Sequence, residues 1–404
     1  MSIKRHLSLV FLVLCVFMTP AKAADLVPLP TQAEFVPWPT KAWPVGWPGQ
    51  GVDESALRAL VDHAFNEPVS EDLPGTRAAI VVHRGRIVAE RYAEGFSAEQ
   101  LFLSQSVAKT VLGAVVGLTV RDGLLALDQP APVAAWQDAD DPRAGISINN
   151  LMQMSDGLDF VEDYFNPFRS DVLPMLFGEH RKDMAAYVAS RPLEHDPGTY
   201  WSYSSGTTNL LSSIVRDVVG GMQNAYADYL ERELFAPIGM TTAEPEFDGS
   251  GTWVGSSWLH ATARDWARFG LFMLRGGIWE GRQILPEGWV DYMRTPLAHE
   301  PRGIYGGQTW LNAGPVDDPA ARRIEALPAD TFMATGHRGQ YLIMVPSKDL
   351  VIVRLGRTGY IHYPAVVAWL GEIVDLFPDV HSAGEGAPVA SREDSLSPEG
   401  SPAP

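Results

Sequence analysis

Cysteine is almost absent from this 404-residue chain, and Cys15 is the only one. It lies in an N-terminal apolar run, so the rest of the chain has no thiol. That excludes disulfides, cysteine nucleophiles and cysteine-ligated metal sites there. Stability must come from core packing, for which 46% hydrophobic residues in a chain of this length suffice. Positive charge is scarce too: there are six lysines, the formal net charge is −18, and no basic run occurs. Such a chain repels nucleic acid and anionic membrane surfaces. The ten histidines show no H-E-x-x-H or similar spacing, so no metal and no cofactor is expected. No G-x-S-x-G elbow is present, which leaves an α/β-hydrolase without support.

The N-terminus reads as a targeting segment. "MSIKRHLSLVFLVLCVFMTPAKA" has a basic start at Lys4 and Arg5, an apolar run and a final Ala21-Lys22-Ala23. The run is short for a membrane span, so a signal peptide over residues 1–23 is expected, with export to the periplasm or beyond and no stable membrane anchor after cleavage. Residues 24–50, rich in Pro and Trp, read as an extended arm. Residues 379–404, rich in Gly, Pro, Ser and acid, read as a disordered tail.

Between them, strand patterns fall early and late. "RAAIVVHRGRIVAERYAEG" reads as a hairpin turning at Arg84-Gly85. "DTFMATGHRGQYLIMVP" and "DLVIVRLGR" read as strands near the end. Helical spacing dominates 104–250, and "SWLHATARDWARFGLFMLRGG" continues it. The early strands can pair with the late ones only if the helical block is an insertion. This predicts an α/β (α+β) chain: one mixed sheet with flanking helices from 51–103 and 251–378, and a mainly helical region over 104–250. A site would sit in the cleft between them.

The chemistry starts at "SQSVAKTVLGAVVGLTV", a helix apolar on almost every face with Lys109 near its start. A buried ammonium needs a partner or loses its proton. Ser106 stands three residues earlier, on the same face and at a first turn where free N–H groups can hold an anion. A desolvated lysine can take the serine proton, as in Ser-Lys acyl transfer. In "HDPGTYWSYSSGTTNLL", Tyr203-Ser204-Ser205 and Tyr200-Trp201-Ser202 have the same form, so spacing alone does not choose the tyrosine that would shuttle a proton. "ATGHRGQYLIMVP" opens a late strand with glycine, where a substrate can lie against the backbone and N–H groups can complete an oxyanion hole.

The ordered set resembles the serine β-lactamase and penicillin-binding-protein superfamily, and most the class C-like branch that holds family VIII carboxylesterases, DD-peptidases and 6-aminohexanoate-dimer hydrolases. The resemblance runs from about Arg77 to Pro378. It rests on "LSQSVAKTVLGAVVGLTVRDGLLALDQP", "ISINNLMQMSDGLDF", "PGTYWSYSSGTTNLLSSIV" and "HATARDWARFGLFMLRGGIWEGRQIL". It implies a β-lactamase/transpeptidase-like fold with a central antiparallel sheet. It also implies Ser106 as acylated nucleophile and Lys109 and Tyr203 as the proton-transfer pair, either being the resting base. Ser205 stands where many relatives have Asn and remains a candidate substrate contact.

Two departures matter. The family's Lys-Thr-Gly is read as Ala334-Thr335-Gly336, with the N–H groups of Ser106 and His337 as oxyanion donors; the other register is His337-Arg338-Gly339. The first puts Gly336 against substrate and removes the cation that grips penicillins, which disfavours efficient β-lactamase or D-Ala-D-Ala carboxypeptidase activity. Ser155-Asp156-Gly157 imitates a class A motif but reads as a structural turn, and no class A-type glutamate base is identifiable. Tyr164 and Asp171 are candidates to line the cleft from a loop. Trp201 and Trp258 read first as core and second as pocket wall. The expected partner is a small ester, amide or peptide, and the rival is a non-catalytic binder of cell-wall peptide.

Overall fold

The structure, a computed structural model, describes residues 26–380 apart from 48, 66–72 and 139. The expected signal peptide and nearly all of the expected tail lie outside the described residues.

β1 (Thr76–His83) and β2 (Arg86–Tyr92) form the expected hairpin. Arg84 and Gly85 have φ of 50° and 77°. Two such residues in succession suit a type I′ turn, whose twist matches that of paired strands. β3 (Trp310–Leu311), β4 (Phe332–Gly336), β5 (Gln340–Val345) and β6 (Leu350–Gly356) come from the other end of the chain. Together they make one sheet in the order β2-β1-β6-β5-β4-β3, joined at β1 and β6. The pattern reading of a mixed sheet is corrected here: every ladder in this sheet is antiparallel. The turns that join β1 to β2, β4 to β5 and β5 to β6 are too short for a parallel crossover.

β1 is buried on both faces. Ala78, Ile80 and Val82 pack with Leu342, Val351 and Val353 toward the helix Ala263–Leu274. Ala79 and Val81 pack with Ile343 and Ile352 toward the helices Glu54–His63 and Tyr363–Asp375. This is the period-2 alternation of a strand covered on both sides. Each fully buried Val or Ile there contributes about 1.5–3 kcal/mol. Gly270 lets its helix close on the sheet, since a Cβ there would stand 2.6 Å from Val351 Cγ1.

The inserted region is built on the helices Ala108–Arg121 and Ser205–Val218, which pack on each other. A second sheet pairs Leu101–Leu103 with Leu259–Thr262 and the latter with Glu244–Pro245. Leu259–Thr262 therefore departs from the helical reading of its stretch. Thr262 ends the strand by accepting a hydrogen bond from Asp265 N–H, which starts the next helix. The N-terminal arm lies along the sheet region: Trp43 Nε1 donates to Arg264 O, and Pro39 O accepts from Arg268 Nε.

Candidate active site

Ser104 leaves the small sheet and fixes the next turn. Its Oγ donates to Ser257 O at 2.9 Å and accepts from Leu259 N–H at 3.1 Å. Gln105 then adopts φ of 49°, a strained value for a side-chain-bearing residue. Ser106 follows on the 3-10 turn Gln105–Val107, and the Ala108–Arg121 helix continues from it. So Ser106 precedes the α-helix proper, and the helix begins later than the sequence pattern suggests. Twelve of its fourteen residues are buried.

Lys109 is 1% exposed. Its Nζ lies 3.0 Å from Ser205 Oγ, 3.0 Å from Ser256 O and 3.3 Å from Ser106 Oγ. Burial pushes its pKa down to about 8, while the charge of Glu162 pulls it upward. Ser205 Oγ donates to Glu162 Oε1 at 2.7 Å, and Ser205 N–H donates to Glu162 Oε2 at 2.8 Å. The geometry assigns the lone pairs. A neutral amine has two N–H donors and one lone pair. Ser256 O can only accept, and Ser205 Oγ accepts because its own proton goes to Glu162. Both donors are then engaged, and the lone pair is left for the Ser106 hydroxyl.

Tyr203 closes the other side. It precedes the Ser205–Val218 helix, whose start is capped by Ser204 Oγ accepting from Thr207 N–H at 2.9 Å. The Tyr203 ring stands 4.8 Å from Lys109 Nζ and stacks on Trp310 at 5.0 Å. Burial and the Glu162 charge push its pKa well up, while an interaction with Ser106 pulls it back. The hydroxyl is therefore protonated at neutral pH and able to donate. Tyr200 is 52% exposed and packs on His195, away from this group.

Gly336 ends β4 against the Ser106 turn. A Cβ there would lie 2.6 Å from Ser104 O and 2.9 Å from Gln105 Cβ. Only glycine permits this approach. Ala334 is buried in the core, Thr335 and Gly336 face the cavity, and His337-Arg338-Gly339 form the following turn. Among the described residues, the His337 N–H donates to no main-chain acceptor. The His337 ring meets the Tyr360 hydroxyl through Nδ1 at 2.7 Å. Burial, then Arg338, lower its pKa, which keeps the imidazole neutral.

These groups surround a cavity of about 380 Å³. Ser106, Glu162, Tyr164, Tyr203, Gly336 and His337 line it, with Trp258, Trp310 and Tyr363 as further aromatic walls. Ser205 is buried behind it, on Lys109. Tyr164 donates to Glu162 Oε1 at 3.0 Å. Asp171 is not among the lining residues, and the cleft-lining expectation for it is corrected. Its carboxylate accepts from Val161 N–H at 2.8 Å and Tyr187 OH at 2.5 Å and faces Arg191 at 3.4 Å, which ties the loop down. Trp258 is a pocket wall, whereas Trp201 packs with Tyr305 and Trp310 outside the lining. Asp156 is buried, accepts from Leu158 N–H and Thr207 Oγ1, and so sits in a structural turn. Sequence reasoning missed Glu162 and Ser256. The signal for an acid was the buried lysine itself, which demands a counter-charge, but nothing in the linear order says which acid answers it.

The Beta-lactamase family profile matches residues 57–368. A 6-aminohexanoate-dimer hydrolase from Paenarthrobacter ureafaciens is 28% identical over 299 residues, covering 69% of this chain and 72% of that one. Among solved structures, a penicillin-binding protein homologue from Caulobacter crescentus superposes with a TM-score of 0.60 at 15% identity, covering 82% of this chain and 99% of that one. A class C beta-lactamase in complex with cefoxitin gives 0.57 at 18% identity, covering 80% and 99%. At such identities the two structures speak for the fold alone.

Proposed function

The chain belongs to the beta-lactamase family of serine hydrolases, and from that premise we propose that it is an exported enzyme cleaving small esters or amides through an acyl-enzyme on Ser106. Lys109 takes the Ser106 proton as Oγ adds to the carbonyl carbon. The N–H groups of Ser106 and His337 hold the oxyanion. Tyr203 passes a proton to the leaving group as the carbon–heteroatom bond breaks and regains one from the Lys109 ammonium, which returns both groups to their resting states, and water then releases the acid. The observation that carries this reading is the environment of Lys109 Nζ, where two acceptors at 3.0 Å leave the lone pair to Ser106 Oγ.

Small acyl donors without a required carboxylate are favoured over penicillins and D-Ala-D-Ala peptides. Among the described residues no lysine or arginine lines the cavity, and Ala334, which takes the place of the family's lysine in the Ala334-Thr335-Gly336 register, turns into the core. The relative named for the 6-aminohexanoate dimer supports an acyl donor without a β-lactam ring. Weak β-lactamase or carboxypeptidase activity is the second reading, kept by the family match itself.

Mass spectrometry after incubation with a fluorophosphonate and, separately, with a penicillin decides between them. Adduct on Ser106 with the fluorophosphonate alone is expected. Adduct with both reagents favours the penicillin-recognising branch. No adduct with either leaves a non-catalytic binder and overturns the hydrolase mechanism. For export, the processed protein should begin at Ala24 by N-terminal sequencing; an intact Met1 terminus in the exported fraction would contradict cleavage.

A further inference from the structure

The mouth of the cavity carries exposed apolar side chains on two banks. Phe165 and Phe168 are 77% and 97% exposed, on the loop that follows Glu162 and Tyr164. Phe177, 65% exposed, ends the helix Val172–Phe177 on the same side. Ile361, 85% exposed, follows Tyr360 on the segment beyond β6. The Phe165 ring lies 5.4 Å from that of Tyr360, and the Phe177 ring lies 6.3 Å from that of Trp258. Phe177, Trp258 and Tyr360 line the cavity. The exposed rings thus continue its aromatic wall outward.

The Phe165 loop is held rather than loose. Asp163 Oδ1 accepts from the N–H groups of Phe165 and Asn166 at 2.8 and 3.0 Å, and Asn166 Oδ1 accepts from Phe168 N–H at 3.1 Å. These turns present the phenylalanines to solvent. Exposed apolar side chains packed on the aromatic wall of a pocket, as Phe165 and Phe177 are, mark a place where something apolar binds. Its continuity with the Ser106 cavity names the occupant.

We propose that the acyl donor carries an extended apolar chain, which leaves the cavity past Phe177 and lies over Phe165 and Ile361 while its carbonyl reaches Ser106. This rests on the acyl-transfer reading above and adds the substrate class to it.

The test is kcat/KM across two series. One is p-nitrophenyl acetate, butyrate and octanoate, which lengthens the acyl side. The other is ethyl, butyl and octyl acetate, which lengthens the alcohol side. The enzyme is compared with Phe165→Ser, Ile361→Ser and the double variant. A rise of roughly tenfold or more from shortest to longest ester is expected in one series, from burial of methylenes on the rim. In the double variant that ratio should fall back toward one. A flat response in both series overturns the inference, as does a rise that survives the double substitution. So does a wild-type dimer, seen by sedimentation velocity, that the double variant dissociates with its chain-length ratio unchanged; the patch is then a self-association surface. Failure of the acyl-transfer reading looks different. The shortest esters are then not turned over and Ser106 takes no fluorophosphonate, and the inference falls with it.

Discussion

Lys109 and Glu162 are joined through a single hydroxyl. Lys109 Nζ donates to Ser205 Oγ at 3.0 Å, and Ser205 Oγ donates to Glu162 Oε1 at 2.7 Å. The carboxylate acts on the lysine twice. Its charge favours the ammonium, and its acceptor oxygen turns the Ser205 proton away from Nζ. One effect sets when the amine is neutral, and the other sets where its lone pair points.

The first consequence is a pH profile. In the proposed mechanism the amine accepts the Ser106 proton only when neutral, and burial lowers its pKa from 10.5 to about 8. Below that value the ammonium dominates, so kcat/KM for p-nitrophenyl acetate should rise with pH and level off above a midpoint near 8. At pH 6 it should be about a hundredfold below the plateau. A flat profile between pH 6 and 9, after subtraction of the Ser106→Ala blank, removes Lys109 as the resting base. Lys109→Arg, which cannot lose its proton, should cost about 10²–10⁴ in kcat.

Glu162→Gln and Glu162→Ala should separate the two effects of the carboxylate. Gln keeps an acceptor for Ser205 and loses the charge, so the acidic limb moves to lower pH and the plateau stays high. Ala loses the acceptor as well. Ser205 is then free to donate to Nζ, and the plateau itself falls. If both variants give the same profile, the relay through Ser205 has no role in aiming the amine.

Gly336→Ala tests the oxyanion pocket. The new Cβ meets Ser104 O at 2.6 Å and Gln105 Cβ at 2.9 Å, and both belong to the turn that carries Ser106. The turn must shift, and the His337 N–H moves relative to Ser106. A fall of about 10²–10³ in kcat is expected, with KM less affected. Stopped-flow acylation kinetics give the number, and unchanged kcat would place the oxyanion elsewhere.

Asp171→Ala should act on stability. Its carboxylate holds Val161 N–H, Tyr187 OH and Arg191. Its loss leaves half-buried donors unpaired, at about 1–3 kcal/mol. Thermal melting should show the loss. A raised KM with unchanged melting temperature would return Asp171 to the substrate.

Much was legible along the chain. The β1–β2 hairpin and the buried lysine helix follow from short-range patterns and turn residues. Ser106 and Lys109 sit on one helical turn, so their meeting is local. By spacing Tyr203 is one of two equivalent tyrosines, because Tyr200 lies in the same loop and hydrophobic spacing does not distinguish them; the family resemblance selects Tyr203. The third motif was legible as a glycine-opened strand with two possible registers.

The sequence by itself determined a local arrangement: a serine and a lysine one turn apart in an apolar segment, in a chain whose one cysteine is Cys15. The tertiary structure decided what surrounds them. It brought Glu162 and Ser256 to Lys109 from distant segments, drew Asp171 into holding its own loop, and pressed Gly336 against the Ser106 turn. Those choices depend on contacts between residues far apart in sequence, and helix or strand periodicity carries information only about neighbours along one element.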